Sequence, residues 1–249
     1  MATELHPDIV EEQWENTIWS SNRLYLSLLE TFPKYVQEFQ AKWSDYQNAA
    51  SSSSSANTET LSSLPSFTAL TGLGPKIIPL VVYQLALNPN DKTAVHLYDT
   101  LEPDTNWVPE DSSTNRGKDI LRLSFERNRT VRNALADFVE RCERVSVHAS
   151  SSAQYTECSE YDALLVFGQS IIPHVMLEYA RDQKNGGKQA ICHGIGGGVL
   201  FWYELLHELV WGSKTGLRAI GDFGEIYKKW EGWFESGEGV EGAPRFGSA

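Results

Sequence analysis

The sequence has little cysteine, and its cysteines are not arranged for cross-linking or for metal binding. Only three occur in 249 residues, and Cys142, Cys158 and Cys192 form no C-x-x-C pair. An odd, sparse set argues against a disulfide framework and is typical of a reducing compartment. We therefore expect a cytoplasmic protein.

Long apolar segments and cofactor motifs are also lacking. The N-terminus has no apolar signal core. The most apolar stretch, residues 195–211, contains Glu204, His207 and Glu208, and is too short and too charged to span a bilayer. The chain does not contain H-E-x-x-H, and its glycine cluster at 193–200 is not a G-x-G-x-x-G motif, because Val199 occupies the position of the last glycine. The sequence thus predicts no membrane partner, no metal and no organic cofactor.

Positive charge is scarce overall but concentrated in one segment. The chain has 21 basic and 33 acidic side chains, for a net charge of −12, which disfavours DNA as a partner. One cluster of basic residues could bind phosphates, including those of tRNA, or could pair with the protein's own carboxylates. Its members are Arg116, Lys118, Arg122, Arg127, Arg129 and Arg132.

What the chain does have is apolar residues at helical spacing, which predict an all-α fold. Val131, Leu135, Phe138 and Cys142, for example, are spaced by four, three and four. No convincing run of alternating strands occurs, so we predict one helical domain. Its expected parts are N-terminal helices over 1–47 that pack on the core, a Ser-rich mobile linker over 48–63, a helical core over 64–235 and a disordered tail over 236–249.

One phrase occurs twice. "LGPKIIPLVVYQLA" at 73–86 returns as "FGQSIIPHVMLEYA" at 167–180, an offset of 94 residues. In each copy a glycine can end one helix, and a proline follows in the first turn of the next. The pattern predicts HEAT-like helical hairpins that mark two corresponding corners of the domain.

The first copy also carries a family resemblance. "GLGPKIIPLVVYQLA", followed by "AVHLYDTLE", resembles a widespread fungal family of uncharacterised helical proteins, over residues 64–102. The resemblance implies a helical fold and a fungal source, and it transfers no catalytic residue. In size and general character the chain is also similar to the fungal arginine-containing cyclodipeptide synthases, although no motif of that family is matched. This second likeness implies an enzyme of specialised metabolism that consumes aminoacyl-tRNA.

The strongest candidate for catalysis is a polar stripe on an apolar helix. His207 has Glu204 and Glu208 nearby, and Trp211 shares their face. A carboxylate beside an imidazole favours acid–base catalysis if the stripe faces an enclosed hollow. We predict that the first three are catalytic and that Trp211 binds substrate. The alternative is a solvated stripe or a structural ion pair.

Two further histidines have a carboxylate one helical turn away. His174 lies beside Glu178 and Arg181, whereas the first copy of the phrase has uncharged residues at the matching positions. This asymmetry suits a site built on one half of the domain, or a helix with a wetter side. His96 lies beside Asp99. We predict substrate-binding roles for His174, Glu178, His96 and Asp99.

These features support two hypotheses of function. The first is a small cytosolic fungal-type enzyme that acts on a small-molecule or aminoacyl substrate, in its most specific form an aminoacyl transferase that makes cyclic dipeptides from aminoacyl-tRNA. The second is a non-catalytic helical module that displays a groove to another protein. A closed aromatic pocket that touches Glu204 and His207 would favour the enzyme, and an open groove without titratable groups would favour the module.

Overall fold

The computed structural model describes residues 7–53, 57–110, 115–146, 153–184, 198–215 and 223–246. All regular structure in these ranges is helical, which confirms the predicted all-α fold. The α-helices are α1 (Pro7–Thr31), α2 (Pro33–Ser52), α3 (Thr58–Ser62), α4 (Pro65–Thr71), α5 (Ile78–Leu87), α6 (Lys92–Leu101), α7 (Arg116–Ser146), α8 (Ala153–Thr156), α9 (Ser159–Leu165), α10 (Ile172–Lys184), α11 (Gly198–Trp211) and α12 (Phe223–Glu235).

The first two helices are separated by a proline and joined to the core by aromatic rings. Pro33 occupies the first turn of α2, where its missing N–H does no harm. An aromatic residue at every third or fourth position of α2 is buried, and Phe39 is fully so. We expect Phe39→Ala to cost about 3–5 kcal/mol of stability, because a cavity would replace the ring.

The two copies of the repeated phrase form two sharp corners. Each runs from a short helix through a 3-10 segment, Pro75–Ile77 or Gly168–Ile171, into a longer helix. Gly74 and Gly168 open these corners with φ of 75° and 62°, a conformation that residues with a side chain rarely adopt. The two 3-10 segments contact each other.

The corners are more open than the predicted HEAT-like hairpins. The helices on either side of the breaks are bent by 87° in the first copy and 102° in the second, whereas an antiparallel hairpin would nearly reverse the chain. Repetition at an offset of 94 residues stays a prediction. Within the described ranges no single helix is long and apolar enough to cross a membrane, and only the two bent pairs, each taken together, reach that length and composition.

The long helix α7 organises the rest of the domain. It packs against α1, α5, α6 and α9, while α10 packs against α1, α11 and α12. The apolar positions predicted from the spacing, from Val131 to Cys142, are buried. Because α1 contacts both α7 and α10, these three helices meet around one region. A pocket lined by all three lies there.

The predicted linker is partly helical. Its first residues extend α2 to Ser52, and its last form α3, which Asn57 caps by accepting a hydrogen bond from the Thr60 N–H at 2.8 Å. Leu61 anchors α3 by burial in the core. Residues 54–56 lie outside the described ranges, and mobility of the linker stays a prediction.

The C-terminal segment packs on the core where the sequence predicted a disordered tail. Residues 236–246 are described, and Phe246 and Ala243 are buried. Phe246 lies edge-on to Tyr203 at 5.0 Å. The glycine and charge content of the segment predicts disorder, but composition does not show that the buried side chains of Ala243 and Phe246 anchor it.

Lys76 fixes this segment to the first corner. Its ammonium donates to the carbonyl oxygens of Glu238 at 2.7 Å and of Trp233 and Phe234 at 3.4 Å, and it lies 4.6 Å from the Trp233 ring centre. Burial lowers the pKa of this fully buried lysine to about 8. Two of these carbonyls, those of Trp233 and Phe234, belong to the last turn of α12, where carbonyls have no intrahelical N–H partner.

Candidate functional site

The polar stripe on α11 is buried and is bound by the protein itself. Glu204 is fully buried, and its two carboxylate oxygens accept hydrogen bonds from Thr215, one from the backbone N–H at 2.9 Å and one from the hydroxyl. His207 Nδ1 lies 2.6 Å from the carbonyl oxygen of Ser213. Because a carbonyl only accepts, that distance places the proton on Nδ1.

Glu208 completes the stripe and is also occupied by the protein. It accepts a hydrogen bond from the hydroxyl of Tyr161 on α9 at 2.9 Å. Burial, together with the charge of Glu208, raises the pKa of Tyr161. The described contacts of Glu204, His207 and Glu208 therefore hold residues 213–215 and α9 in place. Their catalytic role stays a prediction, and the geometry favours the structural alternative.

Trp211 holds the C-terminal segment. Its indole N–H donates to the carbonyl oxygen of Pro244 at 3.0 Å, and the Arg245 guanidinium lies 3.9 Å from the ring centre. The structure thus gives Trp211 a packing role, and its predicted contact with a substrate stays untested.

His96 and Asp99 line a hollow of about 500 Å³, which the residues of the α11 stripe do not line. His96 Nε2 lies 2.9 Å from the Ser62 hydroxyl oxygen, and its ring stacks on Phe67 at 4.8 Å. Burial lowers the pKa of His96. Arg116 binds both oxygens of Asp99, at 2.8 and 3.0 Å. Both candidates are thus bound by neighbouring side chains: Ser62 binds His96, and Arg116 binds Asp99.

The basic cluster on α7 is largely neutralised by the protein. Four of its six members form ion pairs, the alternative that the sequence left open. These pairs are Arg116–Asp99, Arg127–Glu102, Arg129–Glu126 and Arg122–Asp119, at 2.8, 2.5, 2.6 and 3.9 Å. Lys118 lies 5.5 Å from the ring centre of Trp14. Arg132 instead faces the pocket described next.

A pocket of about 390 Å³ lies between α1, α7 and α10. Its size is within the range of small-molecule sites. Its wall is part apolar and carries more cations than carboxylates. The charged residues are Arg23 and Glu30 from α1, Arg132 from α7, and Glu178, Arg181 and Lys184 from α10.

Three of these cations have no carboxylate partner in the described part of the chain: Arg23, Arg132 and Lys184. Arg23 lies 5.2 Å from the ring centre of Trp19, and Arg132 donates from Nε to the Asn128 carbonyl oxygen at 3.2 Å. These contacts restrain the guanidinium groups. Arg181 differs, because it binds both oxygens of Glu178, at 2.8 and 2.6 Å.

His174 forms part of the wall and is only 8% exposed. Burial, with the charges of Arg127 and Arg132, lowers the pKa of His174 to about 3. The ring is therefore neutral at physiological pH. Its Nδ1 is buried and has no hydrogen-bond partner among the described residues.

The pocket unites residues that the sequence had placed in separate groups. His174 and Glu178 were predicted to bind substrate and Arg132 to bind phosphate, and all three line it. Arg23 and Lys184 were missed. The signal for Arg23 is that α1 repeats polar residues at helical spacing, but this pattern does not reveal that the face meets α10. Lys184 lies one turn after Arg181 on α10, and no separate pattern identifies it.

No protein-family model, curated protein or solved structure matches this chain. The described residues also contain no group of three or more His, Cys, Asp or Glu side chains that could hold a metal ion. Residues 193–197 of the glycine cluster at 193–200 lie outside the described ranges.

Proposed function

We propose that the protein binds an anionic small molecule, or the anionic part of a larger one, in the pocket between α1, α7 and α10. The observation that carries the proposal is the set of three cations around this pocket without a carboxylate partner in the described chain, in a protein of net charge −12. These three cations come from different helices and line one hollow, although acidic side chains outnumber basic ones in the chain.

Phosphate and carboxylate groups fit these cations for two reasons. Guanidinium groups donate several hydrogen bonds in a fixed plane, which matches the oxygens of either group. The neutral ring of His174 adds a polar contact without the cost of a second buried charge. Leucines 24, 135 and 177 supply apolar surface for the rest of the ligand.

The enzymatic form of this proposal moves the site from α11 to the pocket. The substrate would be an aminoacyl group on a phosphate-bearing carrier, as in cyclodipeptide synthesis from aminoacyl-tRNA. The cations suit the phosphates of the carrier, and Glu30 at the same wall suits a cationic amino acid. Untargeted metabolite comparison of a host with and without the gene tests for catalysis, and an unchanged profile would contradict it.

The second candidate is the protein-interaction module. The observation in its favour is that Trp19 and Leu26, seven residues apart on α1, are 58% and 59% exposed beside the pocket. Replacement of Leu26 by Ser would weaken partner capture in this case while leaving anion affinity unchanged, because Leu26 does not line the pocket.

Calorimetric titration with pyrophosphate tests the anion site directly. In the double variant Arg23→Gln/Arg132→Gln we expect the Kd to rise roughly 10- to 100-fold, because about 1.4–3 kcal/mol of charge-assisted hydrogen bonding is lost. The matched control is Arg122→Gln/Arg129→Gln, which removes the same charge from exposed, self-paired positions. An equal effect in both variants, or no binding by the wild type at about 50 mM salt, would contradict the proposal.

A further inference from the structure

A second and much smaller cavity lies behind the pocket. Its volume is about 10 Å³, close to the least that holds one water molecule. Leu24, Asn128 and His174 line both cavities and so form the wall between them. Two buried residues with polar side chains, Arg127 and Ser124, line the small cavity beside apolar residues of α5.

Three buried polar atoms of residues at the small cavity have no hydrogen-bond partner among the described residues. They are Nη2 of Arg127, Nδ1 of His174 and Oγ of Ser124. The other terminal nitrogen of Arg127, Nη1, binds Glu102 at 2.5 Å, and this ion pair is almost completely buried. Leaving such atoms without a partner is unfavourable, and a shared water between Arg127 and His174 would avoid most of that cost.

We propose that one water in the small cavity accepts a hydrogen bond from Arg127 Nη2 and donates one to His174 Nδ1, so that His174 carries its proton on Nε2 and donates it to an oxygen of the ligand in the pocket. Glu102 and Arg127 are then positioning residues, because they act on the ligand only through the water and the imidazole. The inference rests on the proposed function, since it needs an anion in the pocket.

The direction of each hydrogen bond follows from donor chemistry and charge. Arginine only donates, so the water oxygen faces the guanidinium and the water hydrogens face away from it. Nδ1 is the acceptor for one of them, and the proton of a neutral imidazole must then be on Nε2. Burial and the two nearby arginines keep the ring neutral by lowering the pKa of His174.

The ligand class becomes narrower as a result. A neutral Nε2–H can only donate, so the ligand atom beside it is an acceptor such as a phosphate or carboxylate oxygen. An ammonium group is excluded from that position, and any cationic part of the ligand belongs nearer to Glu30. His174 is therefore a fixed donor and does not take up a proton during turnover.

Nitrogen NMR of the histidine side chains tests the tautomer without any ligand. In the full-length protein, long-range proton–nitrogen correlations should show His174 neutral, with the proton on Nε2, throughout about pH 5 to 8. The spectrum of His174→Gln identifies its signals. Ser124→Val, which fills the small cavity, should shift the His174 nitrogen resonances more than the exposed Arg129→Gln does. A proton on Nδ1, a protonated ring, or no difference between these two variants would overturn the inference.

Pyrophosphate titration separates this inference from the proposed function. His174→Gln keeps an N–H donor near the position of Nε2, whereas His174→Phe removes it, so we expect the Kd to rise about three times or less in the first and about tenfold or more in the second. If both variants bind as tightly as the wild type while Arg23→Gln/Arg132→Gln does not, the pocket stands and the donor role fails. If the wild type itself does not bind, the proposed function fails first.

Discussion

The polar stripe on α11 and the pocket between α1, α7 and α10 both contain a histidine and glutamates, but these side chains have different partners in the two regions. On α11 the carboxylates and the imidazole are bound by backbone and side-chain groups of the protein. At the pocket, cations converge on a hollow and His174 keeps a buried nitrogen without a described partner. A histidine beside a glutamate in sequence does not distinguish the two situations.

The difference lies in what satisfies each group. Burial of a polar group is costly unless the group is hydrogen-bonded. On α11 this cost is offset by nearby residues of the chain, because Thr215 binds Glu204 and Ser213 binds His207. At the pocket Arg23, Arg132 and Lys184 are exposed and have no carboxylate partner in the described chain, and the buried Nδ1 of His174 has no described partner. Cations around a hollow, beside a buried polar atom without a partner, are the physical sign of a ligand site.

The largest effect expected in the comparison of the two regions is on stability, and it contrasts a glutamate of each region. Glu204→Ala should lower the free energy of unfolding by about 2–4 kcal/mol, because it leaves the buried N–H and hydroxyl of Thr215 without their acceptor. Glu178→Ala breaks an ion pair whose arginine is 64% exposed and should cost about 1 kcal/mol or less. Urea unfolding of both variants makes the comparison. Equal losses would mean that the two carboxylates are not used differently.

The sequence predicts local structure well for physical reasons. Pro33 is compatible only with the start of a helix, and Gly74 and Gly168 allow the positive φ at which each corner begins. Spacing of three and four identifies the buried face of α7. Each of these signals arises from a few neighbouring residues, so one sequence is enough to read it.

The candidate site depends on which helical faces meet, and a single sequence does not encode that locally. Arg23, Arg132 and Lys184 belong to three helices that come together only through the packing of the whole core. The contacts of Lys76 likewise depend on tertiary packing that a single sequence does not show. Lys76 is a single charge within the apolar first copy of the phrase, and Ser170 stands at the matching position of the second copy. That mismatch is a visible signal, but its partner at the end of α12 is not.

A second prediction contrasts Lys76, which the protein satisfies, with Lys184 at the pocket. Burial lowers the pKa of Lys76 in the folded protein to about 8, from an ordinary value of 10.5. Between these values the unfolded chain holds a proton that the folded chain lacks, so stability should rise as the pH rises, by at most about 1.4 kcal/mol per unit. Buried tyrosines with raised pKa, such as Tyr35 and Tyr98, oppose this only above about pH 10.

Denaturant melts from about pH 8 to 9.5 measure this slope. We expect Lys76→Met to lose the Lys76 contribution, about 1–2 kcal/mol over the window. Lys184→Met is the control, because that lysine is exposed, and it should keep the wild-type slope. A slope that is unchanged in Lys76→Met would show that Lys76 titrates as an ordinary lysine in the folded protein.

The smallest expected effect is that of His207→Asn, which addresses the α11 stripe directly. The amide nitrogen of Asn lies near the position of Nδ1 in His, so the hydrogen bond to the Ser213 carbonyl can persist, and stability should fall by about 1 kcal/mol or less. The Kd for pyrophosphate should change less than about twofold, and any product found by metabolite comparison should still form. If His207 is instead a general acid or base, the same substitution should lower turnover about 100-fold or more at unchanged stability. That outcome would return the active site to α11 and leave the pocket without a catalytic role.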